Sequence, residues 1–235
     1  MPASIAGSNH VKALTAGALV LIAGASAVAG PDWIERGDAG SSVGTAQIPV
    51  RPDGATALNS ISGTLTGPTD QRGVGDFEDM YIISISDPGT FSLTLINADF
   101  NPVFYLFNLT LANQAYGLLA NDDANAQTNI PALTNAATDA TGVVITAPGD
   151  YLLAITGKGD SPLSITGPIF NIASPDEISG PDGVGGYNPL LGWTGGGEWG
   201  NYNFAIVGTD FPTTPTPGAA GVFGLAGAAM LRRRR

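Results

Sequence analysis

The stretch that decides the fold is DMYIISISDPGTFSLTLI, residues 79–96. Apolar side chains recur at every second position on both sides of its centre, which is the spacing of a β-strand with one buried face. These side chains are Tyr81, Ile83 and Ile85 before the centre and Phe91, Leu93 and Leu95 after it. The centre, Asp87-Pro88-Gly89, combines a proline that favours the φ of a turn with a glycine that tolerates positive φ. The stretch therefore predicts a β-hairpin in which residues 79–86 pair with residues 90–96.

Further strands follow the same pattern. Residues 103–107, VFYLF, are apolar at every position, which predicts a central strand with both faces buried. A second turn, Pro148-Gly149-Asp150, predicts another hairpin between two alternating segments, and a last strand follows near the C-terminal end of the body. The alternating residues are Val143 and Ile145, then Tyr151, Leu153 and Ile155, and finally Phe204 and Ile206.

Helices are not expected between residues 58 and 211. No stretch there keeps an apolar face at helical spacing, and the chain's 33 glycines and 17 prolines among 235 residues would interrupt helices repeatedly. We expect an all-β fold, a single antiparallel β-sandwich of the jelly-roll kind with about eight or nine strands. An N-terminal signal helix and a short C-terminal helix are expected to flank it.

Composition and charge exclude several function classes. With 12% charged and 43% apolar residues, the chain is not an acidic disordered tail. The excess of 20 acidic over 9 basic residues disfavours nucleic acid and anionic lipid as partners, because like charges repel. Zinc–thiolate sites and cysteine nucleophiles are excluded by the absence of cysteine. The single histidine, His10, lies in a predicted signal peptide, so we expect neither a Ser-His-Asp triad nor histidine-bound metal in the mature protein.

The N-terminus has the features of a secretory signal. Residues 13–29 carry no charge and end in Ala27-Val28-Ala29, where the small residues Ala27 and Ala29 suit the pocket of signal peptidase. A membrane anchor is the alternative, but this apolar stretch is shorter and richer in alanine than a spanning helix requires. We therefore expect residues 1–29 to be a cleaved signal peptide.

The C-terminus, residues 212–235, has three parts in a fixed order. A Pro215-Thr216-Pro217 motif precedes the uncharged run 219–231, and the chain ends in Arg232, Arg233, Arg234 and Arg235. By the positive-inside rule the arginines would stay on the cytoplasmic side of a membrane. This layout resembles the PEP-CTERM sorting tails of bacteria, with threonine in place of their usual glutamate. The resemblance implies processing by an exosortase-like enzyme, transient tethering to the inner membrane, and delivery to the cell surface or extracellular matrix.

A second resemblance concerns the body, residues 58–211, which follows a lead-in at residues 30–57 expected to be irregular. Landmarks in residues 76–156 occur in the order found in bacterial pre-peptidase C-terminal domains. They are the runs DFEDMYIISI (76–85), DPGTFSLTL (87–95), VFYLF (103–107), NDD (121–123) and APGDYLLAI (147–155). The resemblance implies a non-catalytic β-sandwich attached to secreted proteins, some of which bind calcium and others polymeric substrates.

Acidic and amide side chains form two groups along the body. The first is Asp76, Glu78 and Asp79, before a predicted strand, and the second is Asn121, Asp122 and Asp123, in a predicted loop. Carboxylate and amide oxygens are the ligands that Ca²⁺ prefers, so we expect these six residues as candidate calcium ligands and Ca²⁺ as the one candidate cofactor. The alternative is that they form solvated turns, bonding their own backbone.

Aromatic side chains in a glycine-rich stretch offer a different kind of site. Trp193 and Trp199, with Tyr187 and Tyr202, could stack against a cell-surface polysaccharide, or could instead pack over the end of the sandwich. A glycoside hydrolase would need two carboxylates roughly 5 to 10 Å apart, for which Glu198 and Asp182 are one unspecific pair. We therefore favour an exported, non-catalytic surface protein, with a calcium- or carbohydrate-binding module as the second hypothesis and a hydrolase as the third.

Overall fold

A computed structural model describes residues 32–51, 55–68 and 75–213 of the chain. These residues form fifteen strands and no helix, which confirms the predicted all-β class. Seven strands have five or more residues and eight have only two or three, so the strands outnumber the eight or nine expected. Among the described residues no helix has the length and apolar character needed to cross a membrane. The predicted signal peptide and the sorting motif lie outside this part of the chain.

The strands follow one another along the chain from β1 to β15. They are β1 (Trp33–Ile34), β2 (Ser60–Thr64), β3 (Gly67–Pro68), β4 (Gly75–Asp76), β5 (Glu78–Ile85), β6 (Ser92–Ala98), β7 (Pro102–Leu109), β8 (Ala115–Asn121), β9 (Ala132–Thr134), β10 (Gly149–Gly157), β11 (Pro162–Ser164), β12 (Gly167–Pro168), β13 (Gly192–Trp193), β14 (Asn201–Val207) and β15 (Thr209–Asp210). The described residues of the segment 30–57, which was expected to be irregular, thus contain one short strand, β1.

Two five-stranded sheets contain most of the strands. The first sheet has the order β1-β2-β14-β6-β9 and the second has the order β15-β5-β10-β7-β8. All neighbours in both sheets are antiparallel except β1 and β2, which are parallel. One face of each sheet contributes to a shared apolar core, where Phe204 of the first sheet packs against Tyr81 and Phe104 of the second, with ring centroids 6.4 and 5.4 Å apart.

The predicted hairpin around Asp87-Pro88-Gly89 is wrong in its pairing. The turn forms, since the amide of Thr90 donates to the carbonyl of Asp87 at 3.2 Å, but Gly89 does not adopt positive φ. The strands that it joins belong to different sheets, β5 to the second and β6 to the first. The alternating apolar faces are buried as predicted, yet they contribute to the core from the two sheets rather than lying side by side in one. Alternation identifies a buried face but leaves the partner strand undetermined.

The second predicted hairpin is also wrong in part. Tyr151, Leu153 and Ile155 lie in β10, which pairs with β5 and β7. Val143 and Ile145 lie in no named strand. The carbonyl of Val143 accepts from the amide of Ala137 at 2.9 Å, so this segment closes a loop after β9 instead.

The second sheet is covered on its outer face as well. Tyr105 and Phe107 of β7 point away from the core shared by the two sheets and contact Phe170 and Trp193, which belong to the long segment after β10. Strand β7 lies between β10 and β8. The prediction that VFYLF is an inner strand with both faces buried is therefore confirmed.

Candidate metal centre

Asp79 lies at the beginning of β5, on the face that points between the two sheets. Successive strand residues point to opposite faces, so Asp79 shares the inner face with Tyr81 while Glu78 points the other way. Asp79 has no solvent-exposed surface. Its Oδ2 accepts a hydrogen bond of 2.6 Å from the hydroxyl of Tyr202 on β14, and its Oδ1 accepts one of 3.2 Å from the amide of Ala39. A carboxylate of the second sheet is thus bonded to a tyrosine of the first.

The loop after β1 brings two further carboxylates to Asp79. Gly37 and Gly40 have φ of 74° and 69°, a conformation that other residues rarely adopt, and they turn residues 35–40 back on themselves. Glu35 fixes the loop, because its Oε1 accepts from the amide of Ala39 at 3.0 Å and its Oε2 from that of Thr64 at 2.8 Å. Asp38 lies at the tip of this loop.

Asp76 completes the group from β4. Its Oδ2 accepts from both the amide and the hydroxyl of Thr66, at 2.9 and 3.0 Å, whereas its Oδ1 is inaccessible to solvent and has no hydrogen-bond partner. One carboxylate oxygen each of Asp38, Asp76 and Asp79 lie within 4.8 Å of one another. We call Glu35, Asp38, Asp76 and Asp79 the carboxylate cluster.

Burial and mutual repulsion raise the pKa values of three carboxylates, those of Asp79, Glu35 and Asp76. Burial, followed by the charge of Glu35, raises the pKa of Asp79 to about 9. The pKa of Glu35 rises to about 6, mainly through burial with added repulsion from Asp76, and burial also raises the pKa of Asp76. Among the described residues, the only ion pair joins Lys158 to Asp122, so no described lysine or arginine neutralises these carboxylates by direct contact.

The geometry of the cluster fits a calcium ion. Ca²⁺ binds oxygens at about 2.3–2.6 Å, so two oxygens on one ion lie at most about 5 Å apart. The three oxygens of Asp38, Asp76 and Asp79 meet that limit. The unpartnered Oδ1 of Asp76 offers a free lone pair. Remaining positions of the usual 6 to 8 would be filled by Glu35, backbone carbonyls or water.

Glu78, predicted as a ligand with Asp76 and Asp79, lies outside the carboxylate cluster. It lies beside Asp160, and burial followed by the charge of Asp160 raises the pKa of Glu78 to about 8. Asp160 is 1% exposed, and its Oδ1 accepts from the hydroxyl of Thr194 and the amide of Gly195. The alternation of β5 separates Glu78 from Asp79 by placing them on opposite faces of the sheet.

The second predicted group, which we call the Asn121 loop (Asn121, Asp122 and Asp123), is held by other contacts. The side-chain Nδ2 of Asn121 donates to the backbone carbonyls of Asp123, Pro175 and Glu177, and its Oδ1 accepts from the backbone amide of Ala132. The Oδ2 of Asp122 pairs with Nζ of Lys158 at 2.8 Å. Both Asp122 and Asp123 are buried, and each keeps one oxygen without a hydrogen-bond partner.

The two predicted groups do not form one site. Asp79 pairs with Ile155 on β10, Ile155 with Phe104 on β7, and Phe104 with Asn121 on β8. Three strand spacings therefore separate Asp79 from Asn121, about 14 Å. The structure brings together Asp76 and Asp79 of the six predicted ligands and separates the others from them.

The predicted aromatic platform is divided. Trp193 packs edge-on against Tyr105 and Phe107, and its indole N–H donates to the carbonyl of Ser41 at 3.0 Å. Tyr202 is buried, while Trp199 is 53% exposed and lies over Gly67. Trp193 thus packs on the outer face of the second sheet and Tyr202 within the shared core, whereas Trp199 keeps an accessible ring.

The two carboxylates considered for glycoside hydrolysis are each bonded to backbone. Glu198 accepts from the amide of Asn101 at 2.7 Å, and Asp182 accepts from the amide of Asn171 at 3.0 Å. Each carboxylate therefore has a structural role in its own loop.

Sequence reasoning missed Glu35 and Asp38, which lie in the segment expected to be irregular. The signal for them was an acidic pair, Glu35 and Asp38, interleaved with the glycines Gly37 and Gly40. Comparisons with protein-family models, curated proteins and solved structures find no match.

Proposed function

We propose that the chain is an exported, non-catalytic β-sandwich protein of the cell surface or extracellular matrix whose carboxylate cluster binds Ca²⁺. The observation that carries the calcium site is the convergence of Asp38, Asp76 and Asp79 within 4.8 Å. A single jelly-roll-like sandwich fits the shared core of the two five-stranded sheets. The order of landmarks in residues 76–156 supports a likeness to pre-peptidase C-terminal domains.

Calcium would connect the two sheets at this end of the molecule. Glu35 and Asp38 follow β1 of the first sheet, whereas Asp79 belongs to β5 of the second. The hydrogen bond from Tyr202 to Asp79 already joins the same two sheets. A bound cation would add a further connection and would offset the burial and repulsion that raise the pKa of Asp79, because it favours the ionised form of every ligand.

A binding role fits the cluster better than catalysis does. Asp79 has no exposed surface and both of its oxygens are hydrogen-bonded, so it cannot reach a substrate from solvent. The oxygens of Glu35 and the Oδ2 of Asp76 accept backbone hydrogen bonds. These bonds fix the positions of the carboxylates, as an oxygen-ligand cage for a hard cation requires.

Isothermal titration calorimetry of the full-length chain with CaCl₂ at pH 8 tests the calcium site. We expect saturable heat from one site in the wild type and none in an Asp38→Asn/Asp76→Asn double variant. The control, Asp150→Asn, removes an exposed carboxylate elsewhere and should leave the heat unchanged. Absence of heat in the wild type, or equal heat in the double variant, would refute the site.

Export and surface retention rest on the two terminal segments of the sequence. We expect that deleting residues 213–235 releases the protein from cells into the medium, because the arginine-ended tail would hold it at the membrane during sorting. Mass spectrometry of the cell-associated wild type should show an N-terminus at Gly30. Unchanged cell association of the deletion variant would refute the sorting role.

A further inference from the structure

The strands of the first sheet contain no charged residue. Its strands are WI (33–34), SISGT (60–64), SLTLINA (92–98), ALT (132–134) and NYNFAIV (201–207), and none of their residues is acidic or basic. The whole chain, in contrast, has 20 acidic and 9 basic residues. The outer face of this sheet is therefore an uncharged area on a strongly acidic protein.

Small polar side chains form most of that outer face. In β14 buried residues alternate with solvent-facing ones, so that Tyr202 and Phe204 point into the core while Asn201 and Asn203 point outward. Strand β2 presents hydroxyls in the same way. The outward hydroxyl and amide side chains on β2, β6 and β14 are Ser60, Ser62, Thr64, Ser92, Thr94, Asn97, Asn201 and Asn203.

A groove of about 380 Å³ crosses one end of this face. Hydroxyls of β2, Asn97 of β6 and two asparagines of β14 line it together with Ile34. Its one charged side chain, Asp99, accepts a hydrogen bond of 2.7 Å from Nδ2 of Asn201, whose Oδ1 accepts from the hydroxyl of Thr64 at 2.8 Å. The Oδ1 of Asn203 is inaccessible to solvent and has no hydrogen-bond partner within the described chain.

Apolar side chains accompany the polar ones. Ile34 is 62% exposed and lines the groove, and Ile96, on β6 of the same sheet, is 52% exposed. Trp199, two residues before Asn201, is 53% exposed. Hydroxyl and amide groups beside exposed apolar side chains match a sugar ring, which has hydroxyls at its edge and C–H groups on its faces.

We propose that this groove binds a neutral polysaccharide. A lining without lysine or arginine offers a polyanion no cation to pair with, and the chain's net charge of −11 repels polyanions at longer range. A neutral glycan meets neither obstacle, and its hydroxyls can donate to the carboxylate of Asp99 while accepting from the side-chain amides that line the groove. The groove adjoins the carboxylate cluster, because Thr64 donates to Glu35 and Tyr202 donates to Asp79, but none of the four carboxylates lines it.

Affinity electrophoresis of the full-length chain tests the proposal. Native gels contain hydroxyethyl cellulose, galactomannan or laminarin as neutral probes, or polygalacturonate as an anionic probe, all with EDTA. We expect at least one neutral probe, and not polygalacturonate, to retard the wild type. An Asn97→Ala/Asn203→Ala variant should bind that probe at least tenfold more weakly, whereas Gln127→Ala, which removes an exposed amide from a distant loop, should bind as the wild type does.

A separate control tests whether the variant protein is folded. Asn97 is exposed, so the single variant Asn97→Ala should keep the wild-type melting temperature and still lose affinity severalfold. Retardation by none of the neutral probes, or equal retardation by polygalacturonate, would overturn the proposal. Analytical ultracentrifugation tests whether this face instead binds a second copy of the chain. A wild-type dimer that the Asn97→Lys substitution dissociates would overturn the glycan proposal. Because EDTA is present in the gels, a negative result leaves the calcium titration unaffected.

Discussion

The carboxylate cluster and the Asn121 loop contain the same kinds of residues at the same end of the second sheet, yet the partners of their carboxylates differ. In the Asn121 loop Lys158 neutralises Asp122 and Asn121 bonds to backbone groups, although Asp122 and Asp123 each keep one oxygen without a partner. In the carboxylate cluster the acids face one another, and burial raises the pKa of Asp79 to about 9. An acid-rich sequence therefore produces two different electrostatic environments. The carboxylate cluster, which no described lysine or arginine neutralises by direct contact, is the one that we propose binds a cation.

The largest expected difference between the two regions is in the pH dependence of stability. A carboxyl group whose pKa is raised by folding stabilises the fold fully below its unfolded pKa, near 4, and this contribution is lost as the pH rises toward the folded value. The pKa of Asp79 is about 9 and that of Glu35 about 6, and Glu78, outside the cluster, adds to the same loss with a pKa of about 8. In EDTA we expect the chain to lose stability between pH 4 and pH 9, on the order of 5 kcal/mol by pH 8.

Denaturant unfolding at pH 5, 7 and 9 measures this loss. The Asp79→Asn variant should show a flatter pH profile, because its amide does not titrate; its single oxygen can accept from the hydroxyl of Tyr202 or from the amide of Ala39. Asp150→Asn, an exposed position, should keep the wild-type profile. A calcium-free wild type that becomes more stable as the pH rises would contradict the repulsion assigned to the cluster.

The next effect concerns the Asn121 loop, where the side chain is structural. Replacing Asn121 by alanine leaves the amide of Ala132 and several carbonyls without partners in a buried position. We expect a loss of about 3 kcal/mol in the free energy of unfolding. Chemical denaturation checks the value. Calcium heat in calorimetry should persist in this variant, and its disappearance would show that the loop contributes ligands.

The smallest effect has the opposite sign. Asp76→Asn keeps an acceptor for Thr66 and removes one negative charge from the carboxylate cluster. At pH 8 without calcium we expect the variant to be more stable than the wild type by about 1 kcal/mol, since repulsion falls. Thermal melts in EDTA measure the loss of repulsion, and melts in CaCl₂ measure the loss of the calcium ligand, because calcium should stabilise only the wild type. A variant less stable than the wild type in EDTA would argue against repulsion.

The sequence predicted those features that depend on neighbouring residues. Alternation located the buried faces of β5, β6 and β10, and the all-apolar run located β7 as an inner strand. Pairing depends on residues far apart in the chain, so the turn at Asp87-Pro88-Gly89 was found while the sheets of its two strands were not. The contribution of Glu35 and Asp38 was missed for the same reason. Their loop lies 40 residues before Asp79 in the chain and contacts β5 through the amide of Ala39.

The separation of Glu78 from Asp79 could have been foreseen. Adjacent residues of one strand point to opposite faces, so the two could not have served one ion from within β5. The role of Asn121 could not have been foreseen, because two of its hydrogen-bond partners, the carbonyls of Pro175 and Glu177, come from a distant loop.

The most direct test of the calcium site is the anomalous difference map of crystals of the full-length chain grown with CaCl₂ at pH 8. We predict a peak among the carboxylate oxygens of Asp38, Asp76 and Asp79, at about 2.3–2.6 Å from each. A peak at Asp122 and Asp123 with none among these three residues, or no peak at either place, would contradict the account.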